Sequence, residues 1–201
     1  MIDKALSDFL TLWVTIEPLG TVVLFASLSA QLSQTQRRKI ACRAAIYSTV
    51  ILLGSIVVGQ AILSAMEIQL LSLQVAGGLI LFLFAMQMIF GFSHEPATPE
   101  KGHDMAVFPL AVPSIAGAEA IMAVVLLTDN HVYSIASQIV TACVVIVIMS
   151  ITYGLMLLAE PILSIIGNNG AAILERLTGM ILAALAVELI MQAIGVQRWL
   201  G

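Results

Sequence analysis

Three glutamates lie inside long apolar stretches of the sequence, where a charged side chain is costly. Glu17, Glu119 and Glu188 each fall within a segment long enough to cross a membrane. An ionised side chain at the centre of a bilayer costs at least about 2.5 kcal/mol on insertion scales, so these carboxyl groups should face the protein interior. No lysine or arginine falls at the centre of a predicted span to oppose them. Such carboxyl groups are suited to carrying a proton or binding a cation.

The first apolar segment contains helix-breaking residues directly after its glutamate. Pro18 removes a backbone donor and Gly20 weakens the helix, immediately after Glu17. In a bilayer, the backbone groups freed by a break need partners, so a break is tolerated only where it is buried in protein or lines a watery cavity. The alternative is that the proline merely kinks a packed helix.

The fourth apolar segment has a matching irregularity. Pro109 and Pro113 precede Ser114, Gly117 and Glu119. Interruptions at corresponding places in two halves of a chain are the sequence pattern that best indicates the binding site of a secondary transporter. We therefore predict that the two interruptions form one site near the middle of the membrane.

Amide side chains add polar groups to the third and sixth segments. Gln87 lies in the third segment, and Gln192 lies one helical turn after Glu188 in the sixth. These groups either line a cavity or hydrogen-bond neighbouring helices. We include Gln87 and Glu188 in the predicted site.

The sequence lacks a recognisable arrangement for metal binding or hydrolysis. His94 and His103 adjoin acidic residues in a polar loop but without an established ligand spacing. These two histidines and His131 lie outside the predicted spans, so no base is placed to activate Ser114 or Cys143 as a nucleophile. We expect no catalytic residues, no metal site, no cofactor and no enzymatic activity.

The composition is that of a polytopic membrane protein. The 201 residues are 60% hydrophobic and only 10% charged, with a mean hydropathy of +1.06. Because about 20 apolar residues cross the hydrocarbon core, the chain can hold about six spans. The net charge of −4 includes no basic patch, which argues against nucleic acid as a partner and leaves the lipid bilayer. The predicted spans are 6–29, 42–66, 69–92, 106–128, 132–158 and 177–197.

These spans form a single polytopic domain with two halves. A polar stretch at 93–104 separates a first repeat, about 1–92, from a second, about 105–201. Because each half has three spans, an odd number, a repeat that relates them must be inverted in the membrane. The predicted fold class is an all-α membrane protein with six transmembrane helices, arranged as two inverted three-helix repeats with discontinuous first and fourth helices.

An internal alignment supports duplication. A shift of 102 positions places the glutamate of the first segment on that of the fourth. A shift of 101 positions lays the third segment on the sixth and aligns Gly78 with Gly179, Ala85 with Ala186, and Ile89 with Ile190.

Positive residues predict the orientation, because short loops rich in lysine and arginine stay in the cytoplasm. Loops one, three and five are therefore predicted to be cytoplasmic, and both termini periplasmic. The residues concerned are Arg37, Arg38, Lys39 and Arg43 in the first loop, Lys101 in the third and Arg176 in the fifth.

Four short motifs follow one another with a characteristic spacing: EPLGT at 17–21, AGGL at 76–79, PLAVPSIAG at 109–117 and RLTGM at 176–180. In this order they resemble the MarC family, which is grouped with the LysE-type transporter superfamily and with neutral amino acid transporters. The resemblance covers nearly the whole chain. It implies a six-helix, multi-pass protein of the bacterial inner membrane that transports a small solute.

Three positions depart from the family pattern. Glu17 stands where the family usually has Asn or Asp, and Glu188 stands where the sixth helix usually has Gln. Ala118 and Glu119 replace a usual Pro-Gly pair. Because each change introduces a glutamate, the departures favour a cationic solute or protons at this site.

The sequence thus predicts a secondary transporter of small solutes, amino acids among them, with proton or cation coupling through intramembrane glutamates. The alternative is a non-transporting membrane subunit or scaffold of a larger complex, and a homo-oligomer is compatible with both. The predicted solute- or ion-binding residues are Glu17, Pro18, Gly20, Gln87, Pro113, Ser114, Gly117, Glu119 and Glu188.

Overall fold

The computed structural model describes residues 2–90 and 104–195, and these residues fold into helices without a strand. Long apolar runs favour helices because a helix satisfies its own backbone groups in a lipid environment. The helices are α1 (Ile2–Ile16), α2 (Pro18–Ser29), α3 (Gln34–Ala65), α4 (Leu70–Phe90), an irregular α5 (Ala106–Ile115), α6 (Ala118–Leu127), α7 (Ile135–Leu157) and α8 (Ala159–Ile194).

Five stretches of helix are long and apolar enough to cross a membrane, and a bent pair of helices makes a sixth if it counts as one span. The prediction of an all-helical polytopic protein is confirmed. The bent pair is α5 with α6, whose axes differ by 54°. The other five stretches are Ile2–Ser29, Gln34–Leu63, Leu71–Phe90, Ile135–Leu157 and Ala172–Ile194.

Two helices extend well beyond the predicted apolar segments. The second segment was expected from residue 42, but α3 begins at Gln34. There, Ser33 and Gln36 form a capping box: the Ser33 backbone N–H donates to Gln36 Oε1 at 3.0 Å, and the Gln36 N–H donates to Ser33 Oγ at 3.4 Å. The last helix, α8, begins at Ala159 and contains one non-helical residue, Gly167. Helix ends depend on capping and on backbone hydrogen bonds, and neither can be inferred from hydropathy.

The buried core lies where the first span meets the spans of the second half. Fully buried side chains from α1, α3, α5 and α7 form one continuous cluster, and α4 packs along α8 in a second, smaller cluster. The core residues with the largest buried side chains include Leu12, Ile16, Phe25, Leu52, Leu110, Ile115 and Ile148.

Ion pairs group the loops at two ends of the bundle. Arg37 pairs with Glu160, and Arg43 pairs with Asp104, so the first, third and fifth connections share one end. At the other end, which we call the amino-terminal end, Lys4 donates a hydrogen bond to the Leu127 carbonyl at 3.3 Å. This grouping agrees with the predicted alternation of loops. The predicted polar loop, including His94 and His103, lies outside the described residues except for Asp104.

Candidate functional site

The first span has one residue with non-helical backbone angles, Glu17. Helix α1 ends at Ile16 and α2 begins at Pro18, and Glu17 between them has φ 52° and ψ 63°. This left-handed conformation is uncommon for a residue other than glycine and is often found at functional sites. The Glu17 N–H donates to the Trp13 carbonyl at 3.2 Å, and the Glu17 carbonyl accepts from the Thr21 N–H at 3.2 Å. Glu17 thus closes the last turn of α1 and opens the first turn of α2.

Gly20 makes room for the Glu17 carboxyl group. A Cβ atom at position 20 would lie 2.6 Å from Glu17 Oε1 and 2.7 Å from its Cδ. A side chain at position 20 would therefore force the Glu17 carboxyl group to move from this place. The sequence identified Gly20 as a helix-weakening residue, whereas the structure assigns it a steric role toward Glu17.

The fourth span is strongly irregular where its prolines occur. Phe108 and Val112, which directly precede Pro109 and Pro113, have extended backbone angles inside α5. A residue before proline is pushed out of the helical region by contact with the proline ring. Gly117 then adopts an extended conformation and begins α6. The segment thus departs from regular helical angles just before each of its prolines.

Glu119 is a buried carboxyl group in the first turn of α6, and its side chain is 8% exposed. It folds back over Gly117, where a Cβ atom would collide with Glu119 Oε1. Backbone N–H groups at a helix N-terminus favour an acidic side chain there. Both interruptions thus carry a glutamate whose carboxyl group lies against a nearby glycine.

A hydrogen bond joins the two interrupted spans. Thr21 Oγ1 and Ser114 Oγ lie 3.4 Å apart. Ser48 from α3 adds a bond to the Ala111 carbonyl, also at 3.4 Å. Ser114 was predicted in the site, whereas Thr21 and Ser48 were missed. Thr21 is the last residue of the EPLGT motif at 17–21, and its place in that motif could have identified it as a site residue.

A small cavity of about 50 Å³ lies between α1, α4, α6 and α8, with room for a few water molecules. Glu119 is the one ionisable side chain in its lining, and the hydroxyl-bearing residues Thr11 and Thr15 also face it. Neither threonine was predicted. The rest of the lining is apolar or small: Gly77, Leu81, Met122, Ala123, Leu126, Leu127, Leu185 and Leu189.

The charged surroundings of Glu17 are acidic. The carboxyl groups of Glu119 and of Glu175, an exposed residue of α8, act on it electrostatically. Within the described residues, no ion pair involves Glu17 or Glu119.

Of the nine predicted site residues, Glu119 alone belongs to the cavity lining. Glu188 is exposed on α8, where its Oε1 accepts a hydrogen bond from Gln192 Nε2 at 2.8 Å. Gln87 is half-buried on α4 and, like Glu188, is absent from the cavity lining. Of the prolines, Pro18 is buried and Pro113 is exposed. The structure therefore brings the first and fourth spans into contact through Thr21 and Ser114. The predicted residues that are absent from the cavity lining are Glu17, Pro18, Gly20, Gln87, Pro113, Ser114, Gly117 and Glu188.

A family model described as "MarC family integral membrane protein" matches residues 2–197. The chain belongs to the MarC family. Similar proteins are a UPF0056 membrane protein of Archaeoglobus fulgidus, 32% identical over 92% of this chain and 89% of the relative, and one of Methanocaldococcus jannaschii, 30% identical over 92% and 93%. The UPF0056 inner membrane protein YhgN of Escherichia coli K12 is 25% identical over 98% of both chains. No solved structure matches.

Membership in the MarC family confirms the resemblance found in the sequence and establishes a multi-pass integral membrane protein. The printed names of these relatives describe membrane proteins and, for the Escherichia coli relative, an inner-membrane location. They name no substrate. The function of this MarC-family chain must therefore be argued from its own residues.

Proposed function

We propose that this MarC-family protein is a secondary transporter of small solutes, with proton or cation coupling through Glu17 and Glu119. The observation that carries the proposal is the pair of carboxyl groups at the interruptions of the first and fourth spans. Each lies against a glycine, and neither has a basic partner among the described residues. Ionisable residues inside membrane spans commonly mark ion or substrate pathways.

The packing of α4 on α8 supports the inverted repeat that such a mechanism uses. A Cβ atom on Gly78 would lie 3.0 Å from the Ala186 carbonyl oxygen, and one on Gly179 would lie 3.1 Å from the Ala85 carbonyl oxygen. The side chains of Ile190 and Ile89 complete these two contacts. A shift of 101 positions superimposes Gly78 on Gly179, Ala85 on Ala186, and Ile89 on Ile190. The contact of Gly78 with the second half is therefore equivalent to the contact of Gly179 with the first half.

The more extensive of the other helix contacts follow the same exchange. Helix α1 packs on α7 as α5 packs on α3, and α2 packs on α7 as α6 packs on α3. Likewise, α2 contacts α8 as α6 contacts α4. A pseudo-two-fold relation of this kind supports alternating access by rocking of one three-helix half against the other.

In the proposed mechanism, Glu119 holds the coupling proton or a cationic group next to its cavity. Glu17 acts in the same way at the other interruption. Thr21 and Ser114, which hydrogen-bond each other between the two spans, offer hydroxyl groups to the polar part of the solute. Amino acids fit this arrangement because their ammonium group can pair with a carboxylate.

Uptake into proteoliposomes tests the proposal. We expect Glu17→Gln and Glu119→Gln each to lower proton-coupled uptake of amino acids at least tenfold, because the amide cannot carry the proton or pair with a cation. Glu67→Gln, at an exposed residue between α3 and α4, is the matched control and should leave uptake unchanged. Full coupled uptake by both site variants would contradict the proposal.

The exposed polar pair on α8 favours a second candidate function, that of a non-transporting subunit of a larger complex. Glu188 and Gln192 are both exposed within the apolar stretch Ala172–Ile194. Polar side chains at such a face can hydrogen-bond a neighbouring protein helix. Mass measurement after purification in a gentle detergent separates the candidates, because a stoichiometric foreign partner together with no uptake would favour the subunit.

A further inference from the structure

A buried ion pair at the amino-terminal end is not used by the mechanism above. Lys4 Nζ lies 2.8 Å from Asp8 Oδ2 and 3.0 Å from Asp8 Oδ1. The Asp8 side chain is 2% exposed and that of Lys4 is 17% exposed. An ion pair so well shielded from solvent is costly to desolvate and needs further polar partners.

The further partners of this pair belong to two other spans. Lys4 Nζ donates to the Leu127 carbonyl of α6 at 3.3 Å and lies 4.0 Å from the centre of the Tyr133 ring. Thr141 Oγ1 of α7 donates to Asp8 Oδ2 at 2.6 Å. Among the described residues, the side-chain hydrogen bonds that join α1 to α6 and α7 all involve Lys4 or Asp8.

The ion pair is adjacent to the cavity of Glu119. The Leu127 side chain lines that cavity, and Leu127 also supplies the carbonyl bound by Lys4. Lys4, Asp8, Thr11 and Thr15 follow one another at intervals of four, three and four residues, which places them along one face of α1. The two threonines line the cavity, so the ion pair occupies the same face between the cavity and the amino-terminal end.

Helix α1 also has a junction about which it could move as a unit. It ends at Ile16, next to the left-handed backbone of Glu17. A movement of α1 away from α6 at this junction would separate Thr11 and Thr15 from Leu127. The ion pair opposes that movement because it joins the far end of α1 to α6 and α7.

We propose that Lys4 and Asp8 form a latch that closes the amino-terminal end of the Glu119 cavity. The transport role of the latch rests on the proposed function, but its control of access to the cavity does not. Access can be measured on protein that transports nothing, so failure of the latch and failure of the transport proposal are distinguishable.

A cysteine reporter in the cavity tests the latch. The native cysteines, Cys42 and Cys143, are exposed. They are first replaced by serine and alanine, respectively. Thr15→Cys then places a thiol in the cavity lining with little change in volume. The purified full-length protein in lipid nanodiscs is treated with a membrane-impermeant maleimide, and the labelling rate is followed by mass.

We expect Lys4→Met combined with Asp8→Asn to raise the labelling rate of Thr15→Cys at least tenfold. Replacing both charges avoids leaving one of them buried without a partner. Thr141→Val, which removes one hydrogen bond of the latch, should give a smaller increase. Arg43→Gln, which breaks the exposed ion pair with Asp104 at the opposite end, should leave the rate unchanged.

A second reporter distinguishes local opening from unfolding. Ile148→Cys lies in the fully buried core and should remain unlabelled in both latch states. An unchanged rate at Thr15→Cys in the double variant would overturn the latch. Equal acceleration at both reporters would also overturn it, because Lys4 and Asp8 would then stabilise the whole bundle rather than close the cavity.

Discussion

At the scale of single residues, each of the two glutamates of the site has its carboxyl group against a glycine. Gly117 lies under Glu119, and Gly20 lies under Glu17. Sequence inspection finds these glycines because they interrupt helices. It does not find their contact with the carboxyl groups, since that contact depends on side-chain direction at a left-handed or extended backbone position.

We predict that Gly117→Ala destabilises the protein by about 1 kcal/mol, the low end of the usual cost of overpacking, because its Cβ would force the flexible Glu119 carboxyl group to move aside. The measurement is the thermal unfolding midpoint in detergent. Gly154→Ala is the matched control: nothing lies within 4 Å of its Cβ, and alanine should stabilise that helix interior by about 0.5–1 kcal/mol.

The same substitution in a Glu119→Ala background isolates the contact. Without the carboxyl group, we expect Gly117→Ala to lose most of its destabilising effect. An equal cost in both backgrounds would show that the backbone conformation of Gly117, rather than the Glu119 side chain, requires glycine.

At the scale of helices, the seam between α4 and α8 depends on two glycines in corresponding positions. We expect Gly78→Ala and Gly179→Ala to destabilise the protein by similar amounts, about 1–3 kcal/mol each, because each Cβ would press on a helix carbonyl and an isoleucine. Gly54→Ala on α3 meets nothing within 4 Å and serves as the control. Thermal unfolding of the three variants provides the comparison.

A large effect at only one of the two seam glycines would contradict the correspondence between the halves. A neutral result at both would mean that the helices can separate slightly without loss of packing. In the first case, the alignment by 101 positions would reflect similar apolar composition rather than shared structure.

The apolar segments were predictable from the sequence, because span length is set by bilayer thickness. Their helical extensions were not: α3 begins at the capping box of Ser33 and Gln36, before the apolar run. The outward position of Glu188 was also not predictable. Because α8 is apolar around most of its circumference, hydropathy does not indicate which face of the helix points away from the bundle. Pro109 and Pro113 did indicate an irregular backbone before Glu119, because proline restricts the conformation of the residue that precedes it.

At the scale of the whole molecule, two ion pairs and one hydrogen bond indicate how many times the chain passes between the two ends of the bundle. Arg37 with Glu160 and Arg43 with Asp104 place three connections at one end, and Lys4 with Leu127 joins α1 to the last turn of α6 at the other. These contacts require α5 and α6 together to pass from one end to the other. We therefore predict that the bent pair crosses the membrane as a sixth span.

Cysteine labelling in intact bacterial spheroplasts tests this topology, with Cys42 and Cys143 replaced. Positive residues concentrate near the first connection, so we expect Ser33→Cys to react with an impermeant maleimide only after permeabilisation. Asn130→Cys, in the exposed turn after α6, should react in intact cells. If α5 and α6 instead entered and left at the same face, both reporters would need permeabilisation. Reaction of Ser33→Cys alone in intact cells would keep six crossings but reverse the predicted orientation.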